Sequence, residues 1–318
     1  MSSAISGTDY NFPGQTGIYK GKVRDVYTIN DKYLVMIASD RISAFDIILP
    51  RAIPYKGQVL NQIATHFLQK TKDIAPNWLV ETPDPNASIG FKCEPFKIEM
   101  VVRGMLVGHA WREYKAGKRE ICGQSMPEGL KEYDLFPKPL ITPSTKAEVG
   151  HDEDITPEDI VKLGLASQAQ FDELSDLTLK LFAHGQSTAK SRGLILADTK
   201  YEFGLLNGKI MLIDEVHTPD SSRYFYADSH DQYLKDRTLE TPKNLSKEFV
   251  RSWLMDKGFS GKDGEQMPDL SEEFITSISE RYIELFEQIT GEKFIKDESP
   301  DIIKRIETNV VPAIGKLK

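Results

Sequence analysis

The stretch LADTKYEFGLLNGKIMLIDEVHTPDSSR, residues 196–223, is the most informative part of the sequence, because it combines a recognisable hairpin with a cluster of acidic side chains. Asn207 and Gly208 separate two apolar runs, and both residues readily adopt the positive φ of a two-residue turn. The sequence therefore predicts two antiparallel strands joined at 207–208. Four carboxylates surround this predicted hairpin: Asp198, Glu202, Asp214 and Glu215.

The acidic cluster favours a magnesium site over a zinc site. All of its ligands would be oxygens, and Lys200 and Arg223 stand close by in the sequence, as a bound polyphosphate would require. An acidic, solvated hairpin is the alternative interpretation. In a regular ladder Glu202 and Asp214 would point to opposite faces, so joint ligation requires a bulge or a strong twist.

Composition limits the class of protein. The chain has 318 residues, 40% of them hydrophobic, which suffices for a substantial core in two or three lobes. No apolar run approaches the ~18 residues of a membrane span, and the first residues lack a signal-peptide pattern, so we expect no membrane association and a cytoplasmic location. The net charge of −8 argues against a nucleic-acid partner. Cys93 and Cys122 are expected to be free thiols.

A second candidate site lies near the start of the chain. GKVRDVY, residues 21–27, precedes an apolar run at 33–38, and together they predict a hairpin. Lys20, Lys22 and Arg24 would alternate onto one face, and the glycine would let the backbone approach bound phosphates. An edge strand with a solvated face is the alternative interpretation.

Two further arginine positions are suited to anions. SDRISAFD, residues 39–46, follows the apolar run as a polar loop, and such loops commonly carry function. Arg41 could bind a carboxylate or phosphate, while Ser43 and Asp46 could bind a ligand or cap turns. Arg103 lies near the end of a predicted strand, where an anion site and a side chain extending to solvent are equally common.

The remaining pattern predicts the frame of the molecule. Helices are predicted at 59–68, from Thr156, from Ser167 to Gly193, from Ser246, from Ser271 to Gly291 and from Ser299, with strands at 96–104 and 194–197. Residues 117–149 show little periodicity and are expected to form a long functional loop. The helices after Pro242 are expected to pack and to contribute little chemistry.

Seven motifs occur in a fixed order between about residue 17 and residue 226: GKVRDVY, SDRISAFD, KGQVLNQI, VVRGMLVGHAWREY, ITPSTKAE, GLILADTKYEFG and IDEVHTPDSSRY. In this order they resemble the phosphoribosylaminoimidazole-succinocarboxamide synthase family, also called the SAICAR synthetase family. Seven ordered motifs are far more specific than any one of them. The predicted C-terminal helices are compatible with the resemblance.

The resemblance implies an α+β, ATP-grasp-like architecture. A small N-terminal lobe with an antiparallel sheet would span residues 1–98, a central lobe of sheet and helices residues 99–241, and a helical C-terminal part residues 242–318. The implied reaction joins L-aspartate to carboxyaminoimidazole ribonucleotide while ATP is converted to ADP and phosphate, with Mg²⁺ as cofactor.

The resemblance also implies roles for matching residues. It implies ATP binding by Gly21, Lys22, Arg24 and Glu99, catalytic roles for Asp198, Lys200 and Lys146, magnesium ligation by Glu202 and Asp214, and substrate binding by Arg41, Ser43, Asp46, Arg103, His109 and Arg223. Glu99 would lie at the hinge where backbone groups meet adenine, and Lys146 would close over the substrates. At His109 the chain departs from the family, which typically has a phosphate-binding serine there.

The chemistry of the implied reaction agrees with the residues present. A carboxylate is a poor acyl donor, so ATP must first convert it to an acyl phosphate, which the amine of aspartate then attacks. This needs positioned anions and neutralised charge rather than a protein nucleophile. A small-molecule kinase is the alternative, although the H-R-D and D-F-G motifs are missing. Small-molecule substrates are the expected partners; a monomer is compatible with the sequence, which does not reveal the oligomeric state.

Overall fold

The structure is a computed structural model that describes residues 4–146 and 153–317. The strands within these residues are β1 (Gln15–Lys20), β2 (Arg24–Ile29), β3 (Tyr33–Ala38), β4 (Ser43–Ala44), β5 (Ile47–Ile48), β6 (Leu79–Asp84), β7 (Ala87–Phe91), β8 (Glu94–Met105), β9 (Glu120–Ile121), β10 (Gln124–Ser125), β11 (Leu135–Ile141), β12 (Ser144–Thr145), β13 (Leu194–Leu206), β14 (Lys209–Ile213) and β15 (Ser222–Tyr226). The helices are α1 (Lys56–Lys70), α2 (Gly108–Lys115), α3 (Pro157–Lys162), α4 (Gln168–Ser191), α5 (Ala227–Lys235), α6 (Glu248–Asp256), α7 (Glu272–Thr290) and α8 (Ile302–Ile314).

Two antiparallel sheets carry most of these strands. The first has five strands in the order β1-β2-β3-β7-β6. The second has six strands, with the path β11-β8-β13-β14, while β12 pairs with β8 and β15 pairs with β13. Helices pack on both sheets, so the predicted α+β fold with antiparallel sheets is confirmed.

The hairpin that the sequence predicts most directly is present. Strands β13 and β14 pair from Leu206 opposite Lys209 back to Glu202 opposite Ile213. The two turn residues have positive φ angles, 53° at Asn207 and 78° at Gly208. Because a two-residue turn of this kind matches the twist of its flanking strands, the pairing register follows from it.

The end of the same hairpin resolves the orientation of its two acidic residues. Ile213 is the last residue of β14, and Asp214 follows with a φ of 59°. This left-handed conformation takes the chain out of the ladder, so the alternation expected for a regular strand no longer applies to Asp214. Glu202 and Asp214 consequently line one cavity.

The prediction of a long loop at 117–149 is wrong for residues 117–146, the part of this range that the structure describes. Residues 120–125 form a small hairpin, β11 is a strand of the second sheet, and β12 pairs with β8. Strand β11 contains Pro137 and Pro139, which hide the strand pattern in the sequence. It lies at the edge of the sheet, where the missing N–H groups of prolines are tolerated.

Helix starts are predicted correctly where the cap is local. Thr156 and Ser167 accept hydrogen bonds from backbone N–H groups three residues ahead, and Ser271 caps α7 in the same way. The predictions at Ser246 and Ser299 are wrong. Helix α6 begins after Lys247 without a side-chain cap, and α8 is capped by Asp301.

The C-terminal helices pack against earlier parts of the chain rather than only against one another. Helix α7 packs against α1, and α8 covers the five-stranded sheet, where Ile306 and Val310 join Tyr27 and Val35 in one buried cluster. In the described part of the chain, no helix is both long and apolar enough to cross a membrane. The packing leaves a cleft between the two sheets.

A close backbone approach in the five-stranded sheet generates a stability prediction. A Cβ at Gly90 would collide with the ring and the carbonyl of Trp78, whereas a Cβ at Gly17 would meet Thr28 at an ordinary 3.7 Å. We expect Gly90→Ala to lower the free energy of unfolding by about 1 to 3 kcal/mol through overpacking. The matched Gly17→Ala, in the same sheet, should change it by less than about 1 kcal/mol. Urea denaturation measures both, and equal effects would contradict the prediction.

Candidate active site

Two connected cavities occupy the cleft. The large cavity has a volume of about 670 Å³ and extends between the two sheets. The basic cavity has a volume of about 330 Å³ and lies over the second sheet, beside α2 and α6. Five residues line both cavities: Glu99, Lys200, Asp220, Lys247 and Arg251. Groups bound in the two cavities would therefore meet at this shared wall.

The large cavity has an apolar end. Its apolar lining comes from Val26, Leu34, Met36, Trp78, Phe91, Cys93, Pro95 and Ile213. Burial raises the pKa of Cys93 to about 11, so its thiol stays protonated and belongs to this apolar wall. Cys93 and Cys122 are both free, as predicted. A flat heteroaromatic ring fits such an environment.

The glycine of GKVRDVY lies in a tight turn at the rim of the large cavity. Strand β1 ends at Lys20 and β2 begins at Arg24, so the expected alternation of Lys20, Lys22 and Arg24 along one strand is wrong. The N–H of Gly21 donates to the carbonyl of Arg24 at 2.8 Å, and a Cβ at Gly21 would lie only 2.9 Å from that carbonyl oxygen. The turn thus requires glycine and exposes Lys22 at the cavity mouth, where it pairs with Asp46.

Arg41, for which the resemblance implies substrate binding, does not line the large or the basic cavity in the structure. Its guanidinium donates to the carbonyls of Ser6, Gly21 and Lys22 and lies 2.8 Å from Oδ1 of Asp25. Two of these contacts are to backbone carbonyls of the Gly21 turn, and the other two are to Ser6 and to the side chain of Asp25. Arg41 supports the turn from behind, whereas Ser43 and Asp46 from the same motif line the large cavity.

Lys200 is the centre of a charge cluster on the shared wall. Its Nζ lies 2.7 Å from Oε1 of Glu99 and 2.6 Å from Oε1 of Glu202. Lys146 contacts the other oxygen of Glu202. Strand register explains the cluster, because Lys200 and Glu202 project from one face of β13 and Glu202 is directly opposite Glu99 on β8.

Opposite charges outweigh burial in this cluster. Burial opposes the charged amine, but Glu202, Glu99 and Asp214 hold the pKa of Lys200 well above its usual value. Burial likewise opposes the charged carboxylate, but Lys200 and Lys146 hold the pKa of Glu202 down to about 2. At neutral pH Lys200 is therefore a fixed positive charge and not a base.

Glu99 does not occupy the expected hinge. Its backbone lies within the second sheet, where β8 pairs with β12 at Ser144 and with β13 at Glu202. A backbone held between two strands is not available to a base, and the carboxylate of Glu99 points to Lys200. The apolar wall lies instead around Phe91 and Pro95, where the chain passes from the first sheet to the second.

Asp214 lines the large cavity directly after the end of β14 and pairs with Arg24. Nη1 of Arg24 lies 3.6 Å from Oδ1 of Asp214, and the same guanidinium contacts Glu215. Burial raises the pKa of Asp214 to about 6 despite Arg24, because Glu202 and Glu215 add negative charge nearby. Asp214 therefore binds a proton far more readily than an ordinary aspartate does.

The carboxylates of the large cavity suit Mg²⁺ better than Zn²⁺. Glu202 and Asp214 offer only oxygen ligands, and in residues 4–146 and 153–317 no group of three His, Cys, Asp or Glu side chains forms a complete metal cage. Mg²⁺ commonly uses one or two carboxylates together with water and substrate phosphates, so an incomplete cage suits it. Zn²⁺ would require nitrogen or sulfur ligands that this wall lacks.

The basic cavity is lined by seven basic side chains: Arg103, His109, Arg112, Lys200, Arg223, Lys247 and Arg251. Asp198, expected as a catalytic residue, receives Arg103 at 3.5 Å and also Arg223 on the same Oδ2 atom. Nε of Arg103 donates to Oγ1 of Thr142 at 2.8 Å. Asp198 thus holds two buried guanidiniums in place, and their arrangement suits an anion with several oxygens.

His109 lies in the first turn of α2 and lines the basic cavity with the arginines. Its Nε2 is 2.7 Å from Oδ2 of Asp154. The preceding Gly108 has a φ of 58°, and a Cβ there would lie 2.6 Å from Cζ of Arg223. This glycine therefore lets Arg223 pack directly against the start of α2, next to His109.

Helix α6 supplies residues that the sequence reasoning missed. Lys247, Glu248 and Arg251 line the basic cavity, and Glu248 accepts Arg223 at 3.1 Å. The expectation that the chain after Pro242 contributes little chemistry is therefore wrong. The charges at 247, 248 and 251 follow helical spacing beside the apolar residues, a pattern that could have revealed a charged face.

The KGQVLNQI motif also carries more than packing. Lys56 is completely buried, and its Nζ lies 2.8 Å from Oδ2 of Asp220 on the shared wall. Burial opposes ionisation of Asp220, but Lys56 and Lys247 hold its pKa well below the usual value. Ala147 and Glu148 of ITPSTKAE lie outside the described residues, whereas Lys146 and the residues before it are described.

Known proteins resemble this chain along its length. The family model of SAICAR synthetases matches residues 17–268. Phosphoribosylaminoimidazole-succinocarboxamide synthases from Bacteroides thetaiotaomicron and Flavobacterium psychrophilum are 57% and 58% identical over 314 and 311 residues, which cover 98% and 97% of this chain and 99% and 98% of those proteins.

Solved structures agree with the sequence relatives. A structure described as SAICAR-synthase from Saccharomyces cerevisiae complexed with SAICAR matches with a TM-score of 0.77 and 31% identity, covering 92% of this chain and all of that one. A SAICAR synthetase in complex with ADP matches with a TM-score of 0.67 and 25% identity, covering 88% of this chain and all of that one.

The charge cluster generates a prediction about proton affinity. Glu202 raises the pKa of Asp214, which burial places at about 6. We expect Glu202→Gln to lower that pKa, because it removes a negative charge and leaves Lys200 without one partner. Carbon-13 chemical shifts of labelled aspartate, titrated between pH 4 and pH 8 and assigned with Asp214→Asn, measure the change. An unchanged or higher pKa in Glu202→Gln would contradict the coupling.

Proposed function

The chain belongs to the SAICAR synthetase family, and from this premise we propose how its two cavities bind the substrates. It is an ATP-dependent ligase of purine biosynthesis, which joins L-aspartate to carboxyaminoimidazole ribonucleotide. Family membership speaks against the small-molecule kinase considered from the sequence. In the proposal ATP binds in the large cavity, the ribonucleotide binds in the basic cavity, and the reacting groups meet at the shared wall.

ATP is proposed to enter the large cavity with its base at the apolar end. Met36, Trp78 and Phe91 offer the apolar surface, and the Gly21 turn with Lys22 lies at the rim, within the same cavity. The triphosphate would then run from the turn toward Lys200. The relative solved with ADP supports a nucleotide site in this family.

The ribonucleotide is proposed to place its phosphate among the cations of the basic cavity. Arg103 and Arg223 are held by Asp198 with their guanidiniums side by side, and His109 lies next to Arg223. With the phosphate there, the carboxylate at the other end of the ribonucleotide would reach Lys200. L-Aspartate would bind near Ser43 and Asp46, and Lys146 would close over the substrates.

Magnesium is proposed to bind between Glu202 and Asp214. When bound there with ATP, it would supply positive charge to the phosphates. Arg24 and the two lysines that contact Glu202 lie around the same position and keep these carboxylates charged or hydrogen-bonded. Because protonated Asp214 is a poor ligand, a pKa of about 6 predicts weaker metal binding in acid.

Lys200 lies on the wall shared by both cavities, and this position is the main support for the proposed mechanism. Its ammonium stands where a carboxylate oxygen of the ribonucleotide would attack the terminal phosphorus of ATP, and it would neutralise charge on both groups. ADP leaves as the P–O bond breaks. The amine of aspartate then attacks the acyl carbon, and phosphate leaves with the former carboxylate oxygen.

We also propose how the chain is divided into lobes. We assign an ATP-grasp-like arrangement with an N-terminal lobe at 1–98, a central lobe at 99–241 and a helical part at 242–318. All proposed site residues come from one chain, which is compatible with a monomer. The free thiols support a cytoplasmic location.

Oxygen transfer tests the proposed function. With ¹⁸O in the carboxylate of the ribonucleotide, we expect one labelled oxygen in each phosphate released, because the acyl phosphate breaks between carbon and that oxygen. Mass spectrometry of the phosphate measures the label, and steady release of ADP should require aspartate. Unlabelled phosphate, or a phosphorylated product formed without aspartate, would contradict the ligase mechanism.

The Gly21 turn generates a separate prediction about ATP. We expect Lys22→Ala to weaken ATP binding by about 1.5 to 3 kcal/mol, the typical range for a hydrogen bond to a charged group. Lys20→Ala is the matched control, because Lys20 is the last residue of β1, is separated from Lys22 by Gly21, and lines neither cavity. Calorimetric titration with ATP measures both variants. If Lys22→Ala and Lys20→Ala bind ATP with equal affinity, the Gly21 turn has a purely structural role.

A further inference from the structure

We propose that Tyr282 on α7 is a positioning residue of the ligase site, because it fixes the carboxylate of Asp220 where the two cavities meet. The inference rests on the proposed function and concerns a helix beyond residues 17–268, the part that the family model matches. Asp220 lines both cavities. A small displacement of its carboxylate would therefore be felt next to the reacting groups.

The two oxygens of Asp220 have different partners. The hydroxyl of Tyr282 donates to Oδ1 at 2.6 Å, and the ammonium of Lys56 donates to Oδ2 at 2.8 Å. The ammonium also lies 5.4 Å from the centre of the Tyr282 ring. Lys56 and Tyr282 are 0% and 2% exposed, so both contacts lie in the protein interior. The three side chains form one buried unit.

Tyr282 supplies what the ion pair alone does not. A carboxylate held through one oxygen can rotate about its side-chain bonds, and Lys247, a cation of the shared wall, attracts Asp220 as well. The hydrogen bond from Tyr282 to Oδ1 removes that freedom. Charge-assisted hydrogen bonds of this kind are short and directional, which suits a positioning role better than a merely stabilising one.

Helix α7 also supports the other half of the pair. The hydroxyl of Ser279, one turn before Tyr282, donates to the carbonyl of Pro54 at 2.6 Å. Tyr55 follows with a φ of 65° and leads directly into α1, whose first residue is Lys56. One helix outside the family match thus holds both the loop before Lys56 and the carboxylate that Lys56 binds.

The charge of Asp220 indicates which substrate depends on this unit. A carboxylate repels the phosphates of ATP and accepts hydrogen bonds from N–H and O–H groups, which the ribonucleotide offers on its ring and its sugar. Loss of the Tyr282 hydroxyl should consequently affect use of the ribonucleotide more than use of ATP.

The test compares two substitutions that each remove one buried hydroxyl. In Tyr282→Phe the ring over Lys56 remains. In the control, Tyr10→Phe, the lost hydroxyl donates to the carbonyl of Ile303 at 2.8 Å, on the surface of α8 away from both cavities. Steady-state kinetics with ATP, ribonucleotide and aspartate and thermal unfolding are measured for both full-length variants.

We expect Tyr282→Phe to lower kcat/KM for the ribonucleotide by about 10-fold, with the KM for ATP changed by less than about 2-fold. Tyr10→Phe should keep both values although it also loses a hydroxyl hydrogen bond. A double-mutant cycle adds Asp220→Asn: if Tyr282 acts through Asp220, its substitution has little further effect in that background.

Each other outcome overturns the inference. Wild-type kinetics in Tyr282→Phe, or a KM for ATP that rises as much as kcat/KM for the ribonucleotide falls, would show that the hydroxyl has no positioning role. A Tyr282→Phe variant that unfolds while Tyr10→Phe stays folded would show that the hydroxyl holds the fold instead of positioning the site. Failure of the wild-type enzyme to use the ribonucleotide would instead contradict the proposed function, so the two failures are distinguishable.

Discussion

The pairing of β8 with β13 is the constraint on which the rest of the cleft depends. It sets Glu202 opposite Glu99 and brings Lys200 between their carboxylates, on a wall that both cavities share. A shift of one residue in this register would send Lys200 and Glu202 to the opposite face of the sheet. Other elements place further charges in the same cleft. The Gly21 turn presents Lys22, Asp198 holds Arg103 and Arg223, and Tyr282 of α7 contacts Asp220.

The cleft of an acidic protein gathers anionic substrates by keeping its cations paired in advance. Lys22 contacts Asp46, Lys146 contacts Glu202, and Arg24 contacts Glu215. These pairs hold the cations in place without exposing a strong positive field. Asp46 is the exposed carboxylate among the three partners, whereas Glu202 and Glu215 are buried. The preorganised charges then need little rearrangement when the phosphoryl group moves, which is the main source of electrostatic catalysis.

The sequence predicts what is encoded locally. The Asn207-Gly208 turn and the caps at Thr156, Ser167 and Ser271 depend on neighbours a few residues away, and all are present. The resemblance to the family provides the reaction and most lining residues. The Lys56–Asp220–Tyr282 unit could not be predicted, because its members come from three distant segments. The contacts of Arg41 and Glu99 could not be predicted for a similar reason: their partners are set by the register and packing of other strands, which motif spacing does not contain.

In the proposed mechanism, Lys200 stands between the terminal phosphate of ATP and the carboxylate of the ribonucleotide. A crystal structure with a non-hydrolysable ATP analogue, magnesium and the ribonucleotide tests this position. We expect both groups within about 3 Å of Nζ of Lys200, with the base of the analogue against Met36 and Phe91. A ribonucleotide bound in reverse, with its phosphate on Lys200 and its carboxylate between Arg103 and Arg223, would contradict it.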